Sequence, residues 1–521
     1  MTAPSAQAQE KQEKQEKAEQ EAPVVGLALS GGGFRAAAFH LGVLRRLREL
    51  GVLSHVRVMS TVSGGSIVGA FWVGTQALWG DTLASDEEWA KFERWMIHVM
   101  SSRPGLRQIV FMVGFVLPLL LLNVMVAPFV WWPWPVGVWP ALALLAGALV
   151  LSYLFWHFQS SAVLEKCYDA LLYQKARLSD LDFAHAPRHC PYLVINATGL
   201  NNGEVVLFPT RDSPPSAAEL RHLVLSKSAV RYFMEKERTN LPMPASTPVA
   251  RAVAASSAIP GVFTPLKLTG ALDQTLWPYR DLIWGQSGRA DSFRAIDGGV
   301  NDNQGGFLIA SICEHLIVSD ACASLKEHVH PPTWQFWPPG RGVFFRAQDI
   351  IFERVRELGY RRLRDWQGLR RKLHKALDEN GLDAETIEGI FLGLGMTLVS
   401  YSYVELKPPD NFPWPGGQRL PAQLIPYVSS IRTDLDTFSL VEISALMFHG
   451  YTLIDHCLRT VQPGLLPETP LPLKFSFPAG GLFRDWDNPT QQEIERAGRH
   501  LSVSGSRVGA WRVLYRLLNR C

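Results

Sequence analysis

The sequence predicts an α/β protein with a mostly parallel sheet covered by helices on both faces. Two strand–turn–helix units follow one another between Val24 and Ala70, and each turn is glycine-rich. Farther on, apolar runs of strand length alternate with helical patterns as far as Asp320, and one short run delivers Asp297 to a third glycine turn. Alternation of this kind builds parallel sheets buried on both faces, with ligand chemistry at the carboxyl ends of the strands.

The first unit opens with the apolar run Val24 to Leu29 and continues into Gly31-Gly32-Gly33. Phe34, Ala38, Leu41, Leu44, Leu47 and Leu50 then recur at helical spacing until Gly51 stops the helix. Glycines at a helix start let backbone amides close on a ligand where unpaired N–H groups and the positive end of the helix dipole meet. A developing negative oxygen is stabilised at such a place. A phosphate loop fits less well, because no Gly-Lys-Ser/Thr follows and the dinucleotide spacing is missed.

The second unit runs from the β-type segment Val56 to Val62 into Ser63-Gly64-Gly65 and another helix of small residues. Thr61-Val62-Ser63-Gly64-Gly65 has the form of a nucleophile elbow, with Thr61 standing where the first glycine of G-x-S-x-G is usual and Gly65 as the second. Ser66 is the rival, but Val68 occupies the position of its second glycine. A serine hydroxyl needs a base within reach. Arg294-Ala295-Ile296-Asp297-Gly298-Gly299 supplies a carboxylate at the end of a strand, although Asp-Gly-Gly alone is a common turn.

Together, the glycine loop with Arg35, the serine elbow and the Asp-Gly-Gly turn, in this order, resemble the patatin-like phospholipase family. The resemblance extends to Asn196-Ala197-Thr198-Gly199-Leu200 and Ala254 to Pro260, and runs from about Val24 to about Ala321 with one insertion. It implies Ser63 as nucleophile, Asp297 as its base and Gly31, Gly32 and Gly33 as oxyanion donors. Arg35 matches the family's loop arginine, which meets a phosphate or braces the loop. Neither cofactor nor metal is implied.

At 521 residues the chain has room for several domains or one with insertions, and its net charge of +3 is too near neutral to argue for nucleic acid. Six cysteines without C-x-x-C spacing argue against a zinc ribbon or a disulfide-stapled secreted domain. Residues 1–22 are polar and repetitive and read as a disordered tail. Residues 109–127 and 138–156 carry no charge, are each long enough for a bilayer core, and are joined by WWPWPVG, an interface-like loop. They read as a transmembrane hairpin at 109–157; a buried hairpin and one dipping into a single leaflet are the alternatives. Arginine and lysine flank the pair and the loop between them has none, which places the catalytic side in the cytoplasm.

The sheet resumes with strands at Tyr192 to Asn196 and Glu204 to Phe208, helices over 216–236 and 248–257, a helix from Phe307 to Leu316 and a strand ending at Asp320. The catalytic domain is thus 23–325. A mainly helical region, 326–521, follows, with helices at 345–380, 385–405 and 436–460. The first is long, basic and amphipathic, a solvated core-packed helix or a membrane-surface one. Asp455-His456-Cys457 lacks partners at metal-ligand spacing and reads as structural. The function expected is a membrane-anchored serine lipid acyl hydrolase acting on phospholipid or a related ester in the bilayer. The alternative from another class is a non-catalytic membrane adaptor or lipid-binding protein on the same scaffold.

Overall fold

A computed structural model of the chain describes residues 25–102, 160–182, 189–211, 241–268, 293–322, 341–379, 388–393, 419–477 and 481–504, apart from 202, 311, 312 and 314, with isolated positions between 105 and 149. The tail 1–22 and the helix expected at 216–236 lie outside the described residues. So does the hairpin 109–157, except for Ile109, Ala146, Gly147 and Leu149. Among the described residues no helix is long and apolar enough to cross a membrane.

In chain order the main elements are β1 (Val25–Leu29), α1 (Gly33–Glu49), β2 (Val56–Val62), α2 (Gly64–Gly74), α3 (Asp86–Ser101), β3 (Tyr192–Gly199), β4 (Val205–Pro209), β5 (Leu241–Pro242), α4 (Val249–Ser256), β6 (Leu266–Lys267) and β7 (Arg294–Asp297). After these come α5 (Gly306–Ile309), β8 (His315–Asp320), α6 (Arg341–Glu379), β9 (Glu388–Gly393), α7 (Leu440–Val461) and α8 (Gln491–Ser502). The strands form one sheet in the order β5-β4-β3-β2-β1-β8-β9, with β7 also paired to β3, and β6 to β7. The path β3-β2-β1-β8-β9 is parallel throughout, while β4 and β7 each run antiparallel to β3. β1, β3 and all but Arg57 of β2 are buried, as strands covered on both faces must be.

α1 forms where its spacing predicts. It buries Phe34, Ala38, Leu41, Leu44 and Leu47, and Gly51 ends the segment at φ 74°. α7 is held by a capping box in which Ser439 accepts from the Glu442 N–H and the Glu442 carboxylate accepts from the Ser439 N–H. α1 and α7 touch backbone to backbone. A Cβ at Gly42 would fall on the Met447 carbonyl and one at Gly450 on that of Phe39. Arg46 and Asp455 close the contact with a buried ion pair at 2.6 Å, and Arg459 bonds the other Asp455 oxygen at 2.8 Å. Asp455 is therefore structural, as its spacing suggests.

Three expectations change. The helix starting near Phe307 ends at Ile309, and His315 and Leu316 belong to β8, because the parallel ladder with β1 begins at the pair Val25 and His315. Within 385–405, residues 388–393 form β9, parallel to β8, instead of a helix. A short apolar run such as Ile390-Phe391-Leu392 satisfies either element, and an open sheet edge decides it. Nor does residue 325 mark a structural boundary. β9 extends the catalytic sheet, and Leu424, Phe438, Leu446 and Leu501 join the same apolar core as Leu27 and Phe39.

Candidate active site

The site forms where β2, β1 and β7 end. Register brings its members together. Ser63 follows Val62, whose β3 partner is Asn196, and Asp297 pairs with the next β3 residue, Ala197, along the same edge of β3, since β4 holds the other. Residues distant in sequence thus leave the sheet at neighbouring ladder positions.

Ser63 has φ 48° and ψ −114°, a strained backbone for a side chain that is not glycine. It sits at the start of α2 without capping it, so its hydroxyl is not spent on the helix. Its N–H donates to Ser256 Oγ at 2.8 Å, and that hydroxyl donates onward to the Asn196 carbonyl at 2.6 Å. Ser66, the rival nucleophile, has its hydroxyl held against Thr61 Oγ1 at 3.1 Å and Ser256 Oγ at 3.0 Å. Thr61 is accommodated where the elbow pattern has glycine: its methyl group lies against Gly69 of α2 and its hydroxyl anchors Ser66.

Asp297 ends β7 and is 3% exposed. Its N–H donates to the Ala258 carbonyl at 3.0 Å, and its Oδ1 accepts from the Gly299 N–H at 2.8 Å. Oδ2 has no partner in hydrogen-bond geometry, although the Ser63 hydroxyl lies close enough to favour the charged carboxylate. Burial outweighs that hydroxyl and the Gly299 amide, and pushes the carboxyl up to about 7. An ordinary aspartate would be a poor proton acceptor at neutral pH; this one is poised there.

The glycine loop lies across from these two. Gly32 and Gly33 have φ of 136° and 56°. The sequence makes all three glycines equivalent donors, and here one is corrected: the Gly31 N–H is taken by the Asn303 carbonyl at 3.0 Å. Among the described residues the amides of Gly32, Gly33 and Gly64 have no acceptor. Gly64 and Gly33 are in contact, since a Cβ at Gly64 would fall on the Gly33 carbonyl. The amide following the serine, overlooked in the sequence, thus joins two of the three loop amides.

Arg35 points inward. Its Nη1 donates to the Ile431 carbonyl at 3.0 Å, and burial lowers its pKa to about 10 against the attraction of Asp320. The Phe34 N–H donates to the Asp434 carbonyl at 3.0 Å. Residues 431–434 therefore clamp the start of α1, and Arg35 is buried against them.

His40 serves the same end. Its Nε2 bonds the Ser30 carbonyl at 3.0 Å and its Nδ1 the Ser319 hydroxyl at 2.8 Å, and burial lowers its pKa to about 4. It stays neutral and holds the residue that leads into the loop.

Asn303 was not singled out by sequence. Its carbonyl holds Gly31, and its Oδ1 occupies the space that a Cβ on Gly31 or Gly299 would need, so it wedges the glycine loop to the aspartate turn. Its position six residues after Asp297 was the available signal.

A strained serine at the carboxyl edge of a parallel sheet, with unpaired loop amides close by and a buried carboxylate alongside, is the layout of α/β hydrolytic folds. The chain belongs to the patatin-like phospholipase family: the family profile so described matches residues 27–305. Among solved structures, human GIVD cytosolic phospholipase A2 is similar at 20% identity and a TM-score of 0.23, covering 40% of this chain and 27% of that one. VipD from Legionella pneumophila is similar at 12% identity and a TM-score of 0.29, covering 84% of this chain and 67% of that one. This chain thus spans about a quarter of the human protein. No curated protein matches the chain.

Proposed function

We propose that the protein is a membrane-anchored serine lipid acyl hydrolase that cleaves phospholipid or a related acyl ester through a Ser63–Asp297 dyad. The observation that carries the reading is the carboxyl of Asp297, buried, open at Oδ2 and shifted to about 7 beside a strained serine. In the proposed reaction Ser63 Oγ attacks the ester carbonyl and its proton passes to Asp297. The amides of Gly32, Gly33 and Gly64 hold the oxyanion. Collapse of the adduct expels the alcohol, which takes the proton back from Asp297. Water then attacks the acyl-serine with Asp297 again as base, releasing fatty acid and restoring Ser63.

The pH dependence follows from the sign of the shift. Asp297 accepts a proton only when ionised, so kcat/KM on a soluble short-chain ester should climb with pH through about 7 and level off above it. A rate that keeps its alkaline value down to pH 5 would remove Asp297 from the role of base.

Anchoring is proposed from the charge-free runs 109–127 and 138–156, and the positive residues flanking them favour a multi-pass protein of two spans with its catalytic side in the cytoplasm. Replacing 109–157 by a short Gly/Ser linker should leave hydrolysis of a soluble ester in place and lower hydrolysis of neutral lipid vesicles far more. Equal vesicle activity with and without the segment would refute tethering.

A further inference from the structure

α6 lies outside the residues that match the family, yet it borders the candidate site. It packs against the Gly298–Val300 turn that follows Asp297. Gln348 donates to the Pro260 carbonyl at 3.2 Å, Gly359 lies against the Gln304 side chain, and Leu363 is buried beside Gly306. At 100° per residue these contacts lie on one side of the helix.

The opposite side is exposed. Ile350, Ile351 and Leu358 are 40%, 57% and 57% exposed, and Arg354 and Arg361 lie between them within an arc of about 100°. Arg362 and Arg364 flank the arc and are exposed too. Asp365 is the acidic residue at its end, and Glu357 pairs with Arg354 at 2.6 Å. Over its whole length α6 holds eleven Lys and Arg against six Asp and Glu, so this one helix is more positive than the entire chain at +3.

We infer that the outer face of α6 is a docking surface for an anionic lipid surface, which seats the mouth of the site on the bilayer. The inference rests on the lipid-hydrolase reading for its purpose. Separated aliphatic side chains among arginines suit the boundary between acyl chains and phosphates, where the aliphatics enter and the guanidiniums stay with the headgroups. Charge decides the occupant: the surplus is positive, and a negatively charged leaflet attracts it. Because the inward face of the same helix touches the aspartate turn, docking here brings lipid to the catalytic edge and not to some remote face.

The test uses the full chain carrying Ser63→Ala, so that no lipid is consumed, with an environment-sensitive dye on Ala347→Cys; Ala347 is exposed within the arc. The chain without Ala347→Cys corrects for label on native cysteines. The protein is reconstituted in phosphatidylcholine alone or in equal parts phosphatidylcholine and phosphatidylglycerol. Dye emission is expected to shift to the blue in the anionic vesicles and not in the neutral ones. Ile351→Asp with Leu358→Asp should abolish that shift. Arg354→Glu with Arg361→Glu should weaken the response to anionic lipid at least tenfold. In the chain with Ser63 intact, either pair should lower the ratio of vesicle hydrolysis to soluble-ester hydrolysis by about tenfold. Identical emission in both vesicle types would overturn the inference. So would a blue shift already present in detergent and growing with protein concentration, which would assign the face to a second copy of the chain. Loss of all hydrolytic activity would instead count against the hydrolase reading, because the dye measurement needs no turnover.

Discussion

Ser63→Ala and Asp297→Asn should each lower ester hydrolysis by on the order of ten-thousand-fold, and the double variant should be scarcely worse, because the two side chains act as one unit. The Asp297 variant carries a second expectation that a purely structural aspartate would not meet. Its native carboxyl is raised from 3.8 to about 7 by burial, so the folded state holds its proton more tightly than the unfolded chain does. The associated stability is fully present below about pH 4 and is lost as pH rises through about 7. Wild type therefore carries a penalty of up to about 4 kcal/mol at pH 8 that a neutral asparagine does not. Asp297→Asn should accordingly be inactive yet melt higher than wild type at pH 8, with the gap closing toward pH 4. A variant that is both inactive and less stable at pH 8 would mark Asp297 as a structural residue.

The second large effect is expected at Gly64. A Cβ there would fall on the Gly33 carbonyl and crowd the Gly33 nitrogen at 2.8 Å, and backbone cannot swing aside as a flexible side chain can. Gly64→Ala should therefore push the serine turn and the glycine loop apart and displace two proposed oxyanion donors together. Loss of a single donor costs about 100-fold or more in rate, so at least that loss is expected in kcat. Gly51→Ala is the matched control. Gly51 holds a left-handed φ of 74° that Gly64 does not, and nothing lies within 4 Å of the added methyl group, so it isolates backbone strain from the clash. Its cost should be about 1 kcal/mol of stability with kcat unchanged. Similar kcat losses in the two variants would show that backbone strain in general, not the meeting of the two turns, controls turnover.

What the sequence made legible was local. The serine, the aspartate and the glycine loop are each written in a few consecutive residues, and a strand followed by a glycine turn and a helix leaves little freedom in where they sit. What it hid was long-range. The three loop glycines look alike until the Asn303 carbonyl, some 270 residues away in the chain, takes the Gly31 N–H. Ser256 supports Ser63 across nearly 200 residues, and the carbonyls of Ile431 and Asp434 clamp Arg35 and Phe34 from a region that composition alone sets apart. β9 was hidden for another reason: the five apolar and small residues after Glu388 suit a helix or a strand equally, and only the waiting edge of β8 selects the strand. Arg35 belongs with these, because its partner is a carbonyl nearly 400 residues onward.

The central claim is that Ser63 is an activated nucleophile whose base is Asp297. Its most direct test is labelling of the full chain by a fluorophosphonate probe, with the modified residue located by peptide mass spectrometry and the rate followed against pH. The account predicts a single modified serine, Ser63, with a labelling rate that falls below about pH 7 and collapses in Asp297→Asn. Modification at Ser66, or labelling of Ser63 that proceeds equally fast in Asp297→Asn, would contradict it.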